Sequence, residues 1–198
     1  MIACMLFGAA QAEGDFTSGD FTCAILPDGT ASIVSYSGGA GALEIPAVLE
    51  GRAVTQIGPH AFEQAAMRQV SIPEGVSDIG EYAFYGCHSL MSVQIPGSVE
   101  RIGAYAFGEC ALYSVNLPEG LLSLGDRAFY SASLSALVLP GSLAEMGENP
   151  FAGAKLTSLS VSGDNTAFVI REDCLYDAAG GRLIQCLTKE REGVFRVP

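Results

Sequence analysis

Tryptophan is absent from the 198 residues, histidine occurs only 2 times, and Lys plus Arg total 10 against 22 acidic residues. Nucleic-acid binding needs basic stripes that displace phosphate counterions, and a formal net charge of −12 offers none. The same charge disfavours anionic membranes, and its simplest consequence is solubility. Paired CxxC spacing is missing, which argues against zinc. So are GxxxxGK and GxGxxG phosphate loops; Gly38-Gly39 and Gly180-Gly181 read as turn glycines. Asp164-Asn165 and Glu172-Asp173 lack EF-hand spacing and read as loops. A catalytic histidine needs a nucleophile and a third group that orients it, and no motif supplies these around His60 or His88. Cys87 and His88 are adjacent, and neighbouring residues seldom face each other. We therefore expect no catalytic residues, no metal, no cofactor and no enzyme.

What is present is one phrase written about five times. It reads IPEGVSDIGEYAF from Ile72, IPGSVERIGAYAF from Ile95 and LPEGLLSLGDRAF from Leu117, with a looser copy from Leu139 and an elongated one from Ile45. Phe62, Phe84, Phe107, Phe129 and Phe151 are 22, 23, 22 and 22 residues apart. Self-similarity at this period marks a solenoid, in which each unit buries its apolar face only against its neighbours. In the unit from Leu90, Val93 and Ile95 alternate with Ser92 and Gln94, the period of a half-buried strand. Pro96 ends that strand and Gly97-Ser98 turn the chain. Val99 and Ile102 then point inward, Gly103 permits a bend, and Phe107 fills the centre of the coil. The strand of the next unit is expected at Val115-Asn116-Leu117.

The ends read differently. Residues 1–12, MIACMLFGAAQA, form a candidate signal peptide with a small-x-small site at Ala10-Gln11-Ala12, although no Lys or Arg precedes the run. Cleavage there would start the mature chain near Glu13; the other reading is an apolar strand capping the solenoid. The run is too short to span a bilayer. Residues 13–44 are assigned to an N-terminal strand or capping segment, 45–162 to the repeats, and 163–198 to a β-hairpin unit and the start of a possible further repeat. The hairpin would turn at Ala179-Gly180-Gly181, with Leu175 meeting Leu183 across it. Val197-Pro198 resembles the opening of another unit, and no polar capping repeat follows, so the array is expected to continue.

Cys87 and Cys110 share one column with Ala65, Ala132 and Ala154, a small buried position. Adjacent coils at about 4.8 Å would bring them within disulfide range, while buried thiols would serve equally well there. Cys174 and Cys186 flank the hairpin and could pair across it; Cys23 has no evident partner.

Two surfaces are candidate binding sites. Outward strand residues form a polar file, with Gln69 and Ser71, Ser92 and Gln94, Ser114 and Asn116, Ser158 and Ser160, interrupted by Ala136 and Val138. Tyr82 and Tyr105 share a column with His60, Arg127 and Asn149, and Tyr85 and Tyr130 lie near them. Tyrosine combines contact area with a hydroxyl and suits interfaces.

The L-x-x-V-x-I-P strand followed by G-x-V-x-x-I-G-x-x-A-F-x-x-C, at Met67–Pro73, Leu90–Pro96, Leu112–Pro118 and Leu134–Pro140, resembles the BspA-type (treponemal-type) leucine-rich repeat family. The resemblance covers about residues 43–161, and the segments from Phe21 and Asn165 look like the family's flanks. It implies a repeat solenoid: a right-handed leucine-rich-repeat-like coil with one short parallel β-strand per 22–23-residue repeat, short helical or irregular turns, and flanking β-hairpins. Proline replaces the asparagine that follows the strand in ordinary leucine-rich repeats, so no asparagine ladder is expected. The family implies a secreted or bacterial cell-surface adhesin that binds a host or neighbouring-cell surface protein. The rival expectation is a structural spacer within a larger cell-surface protein.

Overall fold

A computed structural model of the chain describes residues 14–39, 41–179 and 181–187. The candidate signal peptide, Gly180 and the last possible repeat lie outside those residues. Strands β1 (Phe16–Ser18), β2 (Phe21–Ile25) and β3 (Ala31–Tyr36) form an antiparallel meander at one end. Its last strand pairs in parallel with β6 (Arg52–Ile57) and so starts the solenoid. No helix occurs among the described residues; the turns are irregular.

A coil offers two strands, not one, except where the first is missing at residues 113–117. The expected V-x-I strands are β4 (Ala42–Glu44), β7 (Gln69–Ser71) and β9 (Ser92–Gln94), in parallel register, and separately β12 (Ala136–Leu139) with β14 (Ser158–Val161). The second file consists of two-residue strands at the x-I-G step: β8 (Asp78–Ile79), β10 (Arg101–Ile102), β11 (Ser123–Leu124) and β13 (Glu145–Met146). With β6 they run unbroken through the array, and β5 (Val48–Leu49) pairs beside β6.

Glycine makes this second file possible. Gly80, Gly103, Gly125 and Gly147 each donate an N–H to the preceding coil, to Ile57, Ile79, Ile102 and Leu124 carbonyls at 2.8 Å. A Cβ would meet backbone of that coil at 2.7 Å on Gly103 and 2.5 Å on Gly125. Their backbone is not left-handed, so close approach, not a bend, demands glycine here.

The first file breaks at residues 113–117. The strand expected at Val115-Asn116-Leu117 does not form, and its backbone pairs with neither β9 nor β12. The break lies where the spacing returns from 23 residues to 22. There the inserted His88 sets its Nδ1 3.0 Å from the Glu109 carbonyl.

The core is one stack. Phe62, Phe84, Phe107, Phe129 and Phe151 are fully buried, with ring centroids 4.9, 5.1, 5.4 and 6.1 Å apart in turn. Phe21 and Tyr36 of the meander cover the Phe62 end. Cys87 and Cys110 are free and buried, donating to the Phe62 and Phe84 carbonyls at 3.0 and 3.1 Å. The bridge is thus not formed, and the reduced pair is. Hydrogen bonding to Cys87, together with burial, pushes the Cys110 thiol well up. Cys23 is also free and buried.

A second meander, β15 (Phe168–Arg171), β16 (Cys174–Asp177) and β17 (Leu183–Cys186), follows the last coil, and Cys174–Cys186 is a disulfide. A register shift after Leu175 alters the expected pairing: Leu175 faces Gln185, and Leu183 faces Tyr176. Leu175 is thereby buried and Leu183 exposed. The junction is held by Asn165. Its Nδ2 donates to the Pro140 and Leu143 carbonyls at 2.8 Å, and its Oδ1 accepts the Ala167 and Phe168 N–H groups at 2.9 Å. Arg182 and Gln185 donate to the Met146 and Phe151 carbonyls at 3.2 Å, so this meander covers the last coil of the array.

Candidate interaction surface

Four coils turn through G-x-X-A-F and the last through Gly147-Glu148-Asn149-Pro150-Phe151, and the residue X takes a left-handed backbone: His60, Tyr82, Tyr105, Arg127 and Asn149 have φ between 46° and 60°. For a bulky aromatic this is an uncommon conformation. It recurs because the flanking bonds fix it from coil to coil: Tyr82 N–H to Ala104 O at 2.9 Å, Phe84 N–H to Ala106 O at 2.8 Å, Tyr105 N–H to Asp126 O at 2.9 Å. Side chains from one column therefore stack at the coil spacing.

His60 lies on Tyr82 with centroids 5.1 Å apart and planes within 2°; Tyr82 lies on Tyr105 at 4.9 Å and 6°. Arg127 closes the row, its guanidinium 5.8 Å from the Tyr105 centroid and its Nη1 donating to the Tyr105 hydroxyl at 3.1 Å. Tyr85 stands edge-on to Tyr82 and Tyr105, and Tyr130 edge-on to Tyr105. The four tyrosines singled out by sequence thus meet in one half-buried surface. His60 and Arg127 belong to it as well, and their shared column with Tyr82 and Tyr105 was the signal for them.

Acidic groups border the ladder. His60 Nδ1 is 2.8 Å from Glu63 Oε2, and the Tyr85 hydroxyl donates to Glu109 Oε1 at 2.7 Å. That hydrogen bond pushes the Tyr85 phenol up to about 12. Stacked faces are covered by their neighbours, so the ladder presents ring edges, hydroxyls and carboxylates to solvent.

The strand file is less uniform. Gln69, Gln94, Ser158 and Ser160 are exposed, Ser71 and Ser92 half-buried, and Ser71 Oγ reaches Gln94 Oε1 at 3.4 Å. Ser114 and Asn116 are exposed on the segment that leaves the sheet, and Met91, Tyr113 and Val138 add apolar groups nearby. The file is consequently two short faces with a gap between them. Among the described residues no group of three or more His, Cys, Asp or Glu is arranged to hold a metal ion.

A family model described as the BspA type leucine rich repeat region matches residues 55–179 in 6 copies. No curated protein matches the chain. Among solved structures, a leucine rich repeat protein of T. pallidum is 30% identical with a TM-score of 0.70, aligning 74% of this chain with 71% of its own. A leucine-rich repeat protein of Bacteroides ovatus is 28% identical, TM-score 0.68, aligning 74% of this chain with 41% of that one. A leucine rich cell surface protein of Faecalibacterium prausnitzii is 25% identical, TM-score 0.56, aligning 96% with 66%. The chain belongs to the BspA-type leucine-rich repeat family.

Proposed function

We propose that this solenoid is a non-enzymatic recognition module of a secreted or cell-surface protein, and that it binds a host or neighbouring-cell surface protein through the tyrosine ladder. The observation that carries the reading is the single surface formed by His60, Tyr82, Tyr105 and Arg127 with Tyr85 and Tyr130 edge-on. Stacking fixes these side chains before any partner arrives, which lowers the ordering cost of binding. Aromatic and Arg side chains are also the groups that dominate protein interfaces. The surface location is supported by the F. prausnitzii relative, which is described as a cell surface protein.

The test is capture of purified host surface and matrix proteins by the purified chain, compared with Tyr82→Ser/Tyr105→Ser and Gln94→Glu/Asn116→Lys variants. The reading expects a partner that is lost with the ladder variant and kept by the strand-face variant. Loss only with the strand-face variant moves the site to that face. No partner at all sinks the reading and leaves a spacer, which the unbroken phenylalanine stack and continuous second file would suit.

A further inference from the structure

Next to the ladder a groove of about 550 Å³ crosses four successive coils. Its floor is Gly58, Gly80, Gly103 and Gly125, where side chains would collide with the preceding coil. One wall carries Asp78 and Arg101, which form an ion pair with each other. The other wall carries Glu81 and Asp126; neither has a Lys or Arg within ion-pair distance among the described residues, although Asp126 Oδ1 accepts the Glu148 N–H at 2.7 Å. An occupant of matching charge is therefore basic, consistent with the −12 of the whole chain.

The floor also restricts the backbone of the occupant. Gly80, Gly103 and Gly125 already donate to the coil before them at 2.8 Å, and the Gly80 and Gly103 carbonyls accept from Ala83 and Ala106 at 3.3 Å. A strand laid on this floor would find no ladder to join. A polyproline II segment has no internal hydrogen bonds to complete, and its prolines have no N–H to satisfy. Spacing points the same way. Glu81 and Asp126 are two coils apart, since Tyr82 N–H bonds Ala104 O and Tyr105 N–H bonds Asp126 O. Two coils span about 9.6 Å. Polyproline II repeats every three residues with a rise of about 3.1 Å each, which puts residues i and i+3 on one face about 9.3 Å apart.

We infer that the groove binds a proline-rich, lysine- or arginine-bearing segment of a partner protein in polyproline II conformation, with basic residues at i and i+3 facing Glu81 and Asp126. This site is separate from the ladder and stands whether or not the ladder binds.

The experiment is a fluorescence-anisotropy titration of the intact chain with a labelled peptide of Lys-Pro-Pro repeats. The comparison peptide has the same composition with its lysines consecutive. Glu81→Gln/Asp126→Asn removes the two charges and keeps the shape; Glu44→Gln/Glu74→Gln removes two exposed charges that do not line the groove. Circular dichroism confirms that each variant is folded. We expect saturable binding that prefers the spaced peptide and weakens about fivefold to tenfold in the groove variant. The distant pair should change it less than about twofold, and salt should weaken it. The inference is overturned by absent saturation, by equal affinity for the two peptides, or by equal losses in the two charge variants. Spermine binding as tightly as the peptide would overturn the assignment to a polypeptide. Loss of peptide binding in Tyr82→Ser/Tyr105→Ser alone would assign the peptide to the ladder.

Discussion

Replacing Phe107 by alanine tests whether the ring stack is the structural axis. Phe107 has no exposed surface and lies between Phe84 and Phe129 at 5.1 and 5.4 Å. Removing the ring forfeits about 2 kcal/mol of apolar transfer. It also removes two stacked partners, each contributing about 0.5–1.5 kcal/mol. The coil cannot collapse into the space, because backbone bonds on both sides hold it at a fixed spacing: Phe84 N–H to Ala106 O and Phe107 N–H to Ala128 O, both 2.8 Å. The expected loss is about 3–5 kcal/mol. For a chain of this size it lowers Tm by about 6–20 °C. Phe107→Leu keeps most of the volume and loses only the aromatic pairing, so about 1–2 kcal/mol is expected. Denaturant titrations should be followed by far-ultraviolet circular dichroism and by tyrosine fluorescence. Repeat arrays can unfold in parts, so coincidence of the two signals must be shown first. A loss below about 1 kcal/mol for alanine, or equal losses for alanine and leucine, would refute a stack that stabilises through buried ring contact.

Gly125→Ala places a Cβ 2.5 Å from the Ala104 nitrogen and should destabilise by about 3 kcal/mol or more, whereas Gly97→Ala, with nothing within 4 Å, should stay within about 0.5 kcal/mol; paired melts decide between them. Asn165→Ala removes four hydrogen bonds at the junction with the second meander and should cost about 2–4 kcal/mol, with earlier proteolysis around residues 163–187; an unchanged digestion pattern would count against that role. The Tyr85 phenol is raised to about 12 by its bond to Glu109, above the ordinary value of 10.0, so its contribution to stability is complete below pH 10 and disappears as pH rises toward 12. Tyrosinate absorbance should show one late-titrating tyrosine that moves toward the ordinary range in Glu109→Gln; a titration curve that does not move would remove Glu109 as the cause.

The sequence made the inward columns legible because repetition supplies several readings of each position. Phe62 through Phe151 hold their places in every copy and are buried as expected; Val70, Val93, Leu137 and Leu159 are buried too, while Val115 in the same column is only half-buried. The second file was not legible: a strand of two residues such as Arg101–Ile102 carries no alternation to detect. Its marker was the glycine beside it, a requirement set by the neighbouring coil and invisible within one repeat. Asn165 reads as a loop residue when taken alone, yet two of its four bonds reach carbonyls more than twenty residues away, at Pro140 and Leu143. Of the candidate sites, the tyrosines came together because Tyr82 and Tyr105 share a column. Their left-handed backbone could not be foreseen, since φ above zero is unusual for aromatics. The gap in the strand file at Ser114 and Asn116 was not legible either, since V-x-L at Val115–Leu117 repeats the pattern of the copies that do pair.

That gap gives the molecule a mechanical asymmetry. On one side, backbone hydrogen bonds run through every coil from β6 to β13; on the other, β9 and β12 are separated by the unpaired segment 113–117. Amides of Ser114 and Asn116 should consequently exchange with deuterium faster than that of Ser92, and equal protection would contradict this picture. A bending load is then carried by the continuous side as a spine, while the interrupted side opens first at the third coil. The solenoid is thus expected to flex most readily between Ser92–Gln94 and Ala136–Leu139, where one file of strands is interrupted while the other file and the ring stack continue past it.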